Sequence, residues 1–282
     1  MAAAVAQHHD LEPRFGAVII DHQLQVGSDA VAARAAEQCR ELGLEPVIER
    51  RVQVSTGAGS GGLEQAARLA RRGALLDAAD AHDASAVWLA HTLDDQAETV
   101  LLGLLRGSGP RSMAGMRRHD GIWERPLLGL TRAVVRASLA QYELQPFQDP
   151  HNENRAFSRA RIRHDVLPLL ERELGGHIAE QLVRSAELFR DDTDALDAMA
   201  EQWWTNHGAL GVNALRELPR ALRTRVIRLA LLESGCPSPE KDHIDAVDHL
   251  VLEPRAQGPV RLPGRLQAQR ERAAGLITIV PS

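Results

Sequence analysis

The sequence predicts an α/β fold built on a parallel sheet, followed by a mainly helical C-terminal region. Three observations carry this. Short apolar runs alternate with stretches of helical periodicity through the N-terminal part of the chain, the pattern of a parallel sheet with crossover helices. The runs end in charged or polar residues, as strands buried on both faces do where they open toward a site. After Pro126 the alternation gives way to long helical patterns.

The elements follow in order. Gly16-Ala-Val-Ile-Ile-Asp21 reads as a buried strand. Residues 28–44 are Ala-rich with helical spacing, and Ser28 with Asp29 can cap the start. Pro46 to Val54 reads as a second strand, Gly57 to Gly62 as a glycine-rich loop, and Leu63 to His82 as a second helix. Ala86-Val-Trp-Leu-Ala90 is a third strand, followed by a helix over Leu93 to Leu105. Thr131 opens a helix to about Leu144, and Pro146 to Asn154 is a polar loop. From Arg161 the pattern is helical, with Pro168 and Gly175-Gly176 as interruptions. From Gly258 the chain alternates and ends in Leu276-Ile-Thr-Ile-Val280, a small β unit. The division expected is 1–172 for the sheet domain and 173–282 for the helical domain.

Composition narrows the class. With 282 residues, 44% of them apolar, the chain can bury a core. It has no apolar run of membrane-spanning length and no basic, then apolar, leader, so the expectation is a cytoplasmic protein without a membrane partner. Cys39 and Cys236 are far apart and support neither a disulfide framework nor a metal site. The net charge is −5, yet residues 104–164 hold eleven Arg against five acids. Such a patch can meet phosphates. It also fits a chain whose cations are nearly all Arg, with Lys241 the single lysine.

In open α/β sheets, ligands sit beyond the carboxyl ends of the strands. His22 and His91 both fall just there. In His91-Thr-Leu-Asp-Asp-Gln-Ala-Glu-Thr99, the residues His91, Asp95 and Glu98 share a face if the segment is helical. An imidazole and two carboxylates can hold an ammonium group or a magnesium ion. Asp94 lies about a quarter turn away. The plainer reading is that Asp94 and Asp95 favour the positive end of the helix dipole, with Thr92 as cap. Arg106-Gly-Ser108-Gly109 can bind phosphate through N–H groups and a guanidinium, or can be a Gly-based helix end. Gly57 to Gly62 lacks the Lys-Ser/Thr of a Walker loop and reads as a flexible loop. Asp149-Pro-His-Asn152-Glu-Asn154 is a turn ahead of a guanidinium fork, Arg159, Arg161 and Arg163, suited to phosphate or carboxylate, or to a solvated basic face.

Taken together these segments resemble the tRNA(Ile)-lysidine synthetase family of PP-loop ATP pyrophosphatases. The resemblance rests on the His91–Thr99 block with Val-Leu-Leu after it, Arg106-Gly-Ser-Gly, Arg125-Pro-Leu-Leu, Gln148-Asp-Pro-His-Asn-Glu-Asn, and Arg159 to Leu170. Asp21-His22-Gln-Leu looks like the family's Asp-His-Gly-Leu, with Gln23 where Gly is usual. Glu64 to Arg72 looks like its Glu-x-x-Ala-Arg-x-x-Arg-Tyr helix, with Arg72 in place of Tyr. The match covers about residues 16–175.

The resemblance implies a PP-loop (adenine nucleotide alpha-hydrolase-like) domain and ligation of lysine to C2 of the wobble cytidine of an isoleucine tRNA with a CAU anticodon. ATP would adenylate the cytidine, and Mg2+ is expected with it. Asp95 and Glu98 would hold L-lysine. His91, Asp94, Asp95 and Arg71 would lie at the reacting centre. Arg106, Ser108, Arg159, Arg161 and Arg163 would meet phosphate or tRNA, and Asp21, His22, Asp149 and Asn152 complete the family motifs. No metal ligand is assigned.

One departure stands out. The family's Ser-Gly-Gly-x-Asp-Ser loop, expected ahead of Asp21-His22, has no counterpart; Ser60-Gly61-Gly62 lacks the Asp-Ser and follows the second strand. Met1-Ala-Ala-Ala-Val-Ala reads like a helix end, so the domain would lack its first strand and the sheet would have a gap. Because the downstream motifs are intact, a start placed too late is preferred to a genuine truncated form. In-frame DNA upstream of Met1 is the check. Two alternatives stay open: another PP-loop tRNA-modifying enzyme such as a thiolase, and a non-catalytic tRNA-binding remnant.

Overall fold

The computed structural model describes residues 15–23, 27–53, 63–107, 109–142, 144, 146–147, 149 and 153–282, with backbone alone at 63–65. The glycine-rich loop at 57–62, Ser108 and Asn152 lie outside the described residues. The chain forms two compact units, Met1–Leu102 with Met116–Val183, and Gly103–Gly115 with Arg184–Ser282.

In the first unit, β1 (Ala17–Asp21) pairs in parallel with β2 (Val47–Arg51), from Ala17 opposite Val47 to Asp21 opposite Arg51. The intervening helix α1 (Ser28–Glu41) turns Ala32 and Ala36 inward. Small residues suit that face because the helix lies close on the two strands. The expected cap differs. Gly27 takes the N-cap position in the left-handed region, and no side chain caps the helix. The Ser28 hydroxyl bonds Asp21 instead.

Helix α2 (Leu63–Ala81) leads to β3 (Val87–Trp88), shorter than the five residues expected. After α3 (Leu93–Leu105) and the single turn α4 (Pro110–Met113) comes the hairpin of β4 (His119–Asp120) and β5 (Trp123–Glu124). Strand β5 lies parallel to β3 and antiparallel to β4. Among the described residues no ladder joins β1–β2 to β3–β5–β4. Phe15 meets Trp88 edge-on at 5.1 Å between ring centroids.

Helix α5 (Arg132–Gln141) starts at Thr131, whose hydroxyl accepts from the Val134 N–H. The chain then forms α6 (Ser158–Arg161), a π turn (Ile162–Val166) and α7 (Leu167–Leu174). Pro168 sits in the first turn of α7, where its missing N–H is not needed. Ala97 and Leu101 of α3 pack on Ile162 and Leu167. This apolar seam lies beside the α3 face that carries Glu98.

The second unit is not helical throughout. Helices α8 (Ile178–His207, its later turns), α9 (Val212–Arg216), α10 (Arg220–Glu233) and α11 (Lys241–Leu252) accompany an antiparallel sheet. Its order is β6 (Leu210–Gly211), β9 (Leu276–Pro281), β8 (Leu266–Glu271), β7 (Val260–Leu262). The terminal β unit was legible; the return of 210–211 to pair with β9 was not, because two residues carry no period. Val226, Ile227, Leu231, Val247 and Val251 fill the core beneath Ala268 and Ile277. Gly258 is required there: its φ is +91°, and a Cβ would come within 2.8 Å of the Ala268 carbonyl oxygen.

Candidate functional site

The candidate site lies at strand ends in the first unit. It has two parts, a carboxylate hub and a set of buried groups without partners.

Glu98 of α3 is fully buried. An isolated buried carboxylate would be costly, so the fold surrounds it with cations. Arg163 engages it with two nitrogens, Nε to Oε1 at 2.7 Å and NH2 to Oε2 at 3.0 Å. Arg132 adds one bond at 3.1 Å, and the Nε of Arg159 stands 3.4 Å from Oε2 without hydrogen-bond alignment. The NH2 of Arg159 donates to the Thr99 hydroxyl at 2.7 Å. Arg159 and Arg163 both reach α3, and the π turn that begins at Ile162 contains Arg163.

Asp95 is likewise engaged at both oxygens. Its Oδ2 accepts from the Thr92 N–H and hydroxyl, both at 2.8 Å. This is the reciprocal arm of a helix cap. Its Oδ1 accepts from Arg132 at 3.2 Å and Arg163 at 3.1 Å. Burial pushes its pKa up, but the Thr92 bonds, then Arg132 and Arg163, outweigh this and hold it below the usual range. Arg163 answers: burial alone would lower it, yet the bond and charge of Glu98 raise it. Asp94 takes the Arg132 backbone N–H at 2.7 Å and lies 3.8 Å from its guanidinium.

His91 does not share the α3 face, because the helix begins at Leu93. It sits in the coil after β3, with Nδ1 buried and unpartnered. Burial pushes its pKa down to about 4, helped by Arg125, Arg68 and Arg71 and opposed by Asp95. His22, after β1, also has an unpartnered buried Nδ1, and its pKa is lowered by burial and then by Arg71, against Asp21 and Asp149. Both rings are therefore neutral at pH 7. Asp21 is buried and held low by Ser28 and the Gln23 N–H, the latter at 2.9 Å.

Arg68 and Arg71 of α2 make no hydrogen bond or ion pair among the described residues. Burial lowers both, with Arg159 the next cause in each case. Arg72 turns aside and stacks over Trp123 at 4.5 Å. Arg125 is buried, donates to the Arg117 carbonyl at 2.6 Å, and leaves its Nε unpartnered. Arg161 bonds the Arg155 carbonyl and the Ser158 hydroxyl on an exposed face, apart from the hub. Arg106 is exposed and belongs to the second unit.

Sequence reasoning missed Arg68, Arg125 and Arg132 as site members. For Arg68 the helical spacing to Arg71 was a usable signal. For Arg132 none existed, since it comes to Asp95 and Glu98 from a separate helix. Among the described residues no group of three or more His, Cys, Asp or Glu side chains could hold a metal ion. The hub carboxylates are taken by guanidiniums, so the residues described do not fit a resident ion.

Known proteins resemble this chain over most of its length. Residues 1–170 match the PP-loop domain family and residues 210–274 the TilS substrate binding domain. A tRNA(Ile)-lysidine synthase from Thermobifida fusca (strain YX) is 48% identical over 263 residues, covering 91% of this chain and 80% of its own length. One from Rhodococcus erythropolis (strain PR4 / NBRC 100887) is 47% identical over 279 residues, 96% of this chain and 83% of its own. One from Leifsonia xyli subsp. xyli (strain CTCB07) is 48% identical over 276 residues, 95% and 81%. Among solved structures, the U34-tRNA thiolase NcsA of Methanococcus maripaludis with its [4Fe-4S] cluster has a TM-score of 0.53 at 18% identity, covering 67% of this chain and 68% of its own, a likeness of fold alone. With two domain matches in order and relatives near half identity over most of both chains, the chain belongs to the tRNA(Ile)-lysidine synthase family of PP-loop proteins.

Proposed function

We propose that this protein joins lysine to C2 of the wobble cytidine of an isoleucine tRNA with a CAU anticodon, using ATP and forming lysidine. The observation that carries the site assignment is a set of polar groups, at the strand ends and on α2, that find no partner among the described residues. Arg68 and Arg71 are half-buried cations without a hydrogen bond or ion pair among those residues, and His22 and His91 are neutral rings with orphaned nitrogens. Such groups are ready to meet a phosphate and a reacting base.

In the first step the cytidine O2 attacks the α-phosphate of ATP and pyrophosphate leaves. Arg71 and Arg68 oppose the charge that gathers on the phosphate oxygens. In the second, the ε-amine of lysine attacks C2 and AMP departs with O2. Asp95 and Glu98 hold the lysine, Asp94 supports the hub, and the free Nδ1 of neutral His91 receives the proton that the amine loses. Arg159, Arg161 and Arg163 meet phosphate or tRNA, and the family motif gives Arg106 and Ser108 the same role. Asp21, His22, Asp149 and Asn152 are the remaining family-motif residues of the site. Mg2+ arrives on the ATP phosphates, and no step here depends on a protein-bound ion. Residues 1–172 supply the ligation chemistry and 173–282 the tRNA-contacting domain. The protein works in the cytoplasm; among the described residues no helix is long and apolar enough to cross a membrane.

The test is ATP- and tRNA-dependent incorporation of labelled lysine, run on this chain and on a form extended by the in-frame upstream coding sequence. Incorporation that needs both ATP and this tRNA supports the reading. A well-folded extended protein that binds tRNA but neither releases pyrophosphate nor incorporates lysine is a binding remnant instead.

A further inference from the structure

The three acids of the hub, Asp94, Asp95 and Glu98, face three guanidiniums, Arg132, Arg159 and Arg163, so the cluster is neutral as it stands. Glu98 lies innermost, fully buried, whereas the Arg132 and Arg163 side chains keep 24% and 19% exposure and Asp95 and Asp94 keep 18% and 31%. A lysine coming from solvent reaches Glu98 only past guanidinium. Adding its cationic group to a balanced buried cluster would leave an unpaired charge in a region of low dielectric. One guanidinium has to leave for lysine to be held.

Geometry says which one. Arg163 grips Glu98 through two nitrogens at 2.7 and 3.0 Å, the strong forked arrangement. Arg132 makes single contacts spread over three acids, at 3.1 Å to Glu98, 3.2 Å to Asp95 and 3.8 Å to Asp94. Its two hydrogen bonds to the hub are longer than the Arg163 pair to Glu98 and share a single nitrogen, so Arg132 gives way first. Its backbone N–H bond to Asp94 keeps the start of α5 in place whatever the side chain does.

We propose that the Arg132 guanidinium occupies the lysine site as an internal stand-in for the substrate cation, and that lysine enters by exchange with it. The inference rests on the assignment of Asp95 and Glu98 as the lysine site. Arg132 thus sets a threshold for lysine: it keeps the acids charged and ordered when no amino acid is bound, and it competes with weak cationic ligands. Guanidinium and ammonium compete for the same carboxylate lone pairs, so the effect on affinity has a fixed sign.

The experiment measures equilibrium binding of labelled L-lysine to the full chain and to its variants, followed by KM for lysine in the ATP- and tRNA-dependent assay. Arg132→Gln is expected to bind lysine at least fivefold more tightly and to lower the lysine KM in the same direction. Arg132→Lys retains a cation and is expected to bind lysine as the parent does. In Arg132→Ala, added methylguanidinium is expected to weaken lysine binding back toward the parent value. A purely structural Arg132 gives the opposite result: unchanged or weaker lysine binding in Arg132→Gln, and no response to methylguanidinium. Either finding overturns the proposal. If lysine binding survives Asp95→Asn and Glu98→Gln unchanged, the site assignment itself fails, and the proposal with it. Should Arg132→Gln melt early, Arg132→Ala with and without methylguanidinium decides the matter.

Discussion

Burial removes water from the imidazole of His91 and pushes its pKa down to about 4, against about 6.5 in the unfolded chain. Between those values the unfolded chain binds more protons than the folded one. His91 therefore contributes stability that is complete above about pH 6.5 and is lost as pH falls toward 4. His91→Gln should flatten the acid side of a stability profile over that window; an unchanged slope would count against a neutral buried ring. Gln23 tells a second residue-scale story. Its φ is +54°, the left-handed region that glycine enters freely. That explains why a glycine is usual at this point of the Asp-His-Gly-Leu segment. Gln23→Gly should raise stability by about 0.5–1 kcal/mol, the size expected for relieving one such residue, as read from a denaturant midpoint.

At the scale of elements, the hub ties α5 and the α6–α7 segment to α3 through one buried carboxylate. Glu98→Ala would leave Arg132, Arg159 and Arg163 without their shared partner. Breaking a buried pair in this way typically costs about 3–5 kcal/mol, and a loss below about 1 kcal/mol would show that the arginines find other partners. The cap of α5 is a smaller term. Thr131 accepts one N–H at 3.3 Å, a long bond. Thr131→Ala should cost about 0.5–1 kcal/mol, measured in the same denaturant series. Thr92 and Asp95 show why the two readings of the acids at the start of α3 were not rivals. Asp95 caps the helix with one oxygen and joins the hub with the other.

At the scale of the molecule, the second unit carries its own buried pair. Arg223 binds Asp248 through Nε at 2.5 Å and NH2 at 3.3 Å, and both residues are buried. The pair joins α10 to α11 inside an otherwise apolar core. Asp248→Ala should destabilise this unit by about 3–5 kcal/mol, while replacing both partners by apolar residues of similar volume should cost far less. A double variant as unstable as the single one would mean that the Arg223 bond to the Leu218 carbonyl matters as much as the pair. Site chemistry and this core fall in different units, so the expectation is that lysine binding survives changes at Asp248.

The sequence by itself determined the alternation of strands and helices, the span of α3 to the residue, the terminal β unit and the family. These are local signals: periodicity, turn residues and ordered motifs survive in one dimension. It also placed Asp95, Glu98, Arg159 and Arg163 among the candidates, because motif spacing and Arg chemistry are readable without coordinates. Only the tertiary structure decided that His91 stands outside the helix, that Arg68 and Arg71 have no partners among the described residues, and that Arg132 engages Asp95 and Glu98. Those facts depend on which helices meet, and on burial that turns each charge into a demand for a partner. A carboxylate pair seen in sequence is an open clamp; in the folded protein it is an occupied one, because a buried negative charge does not stand empty.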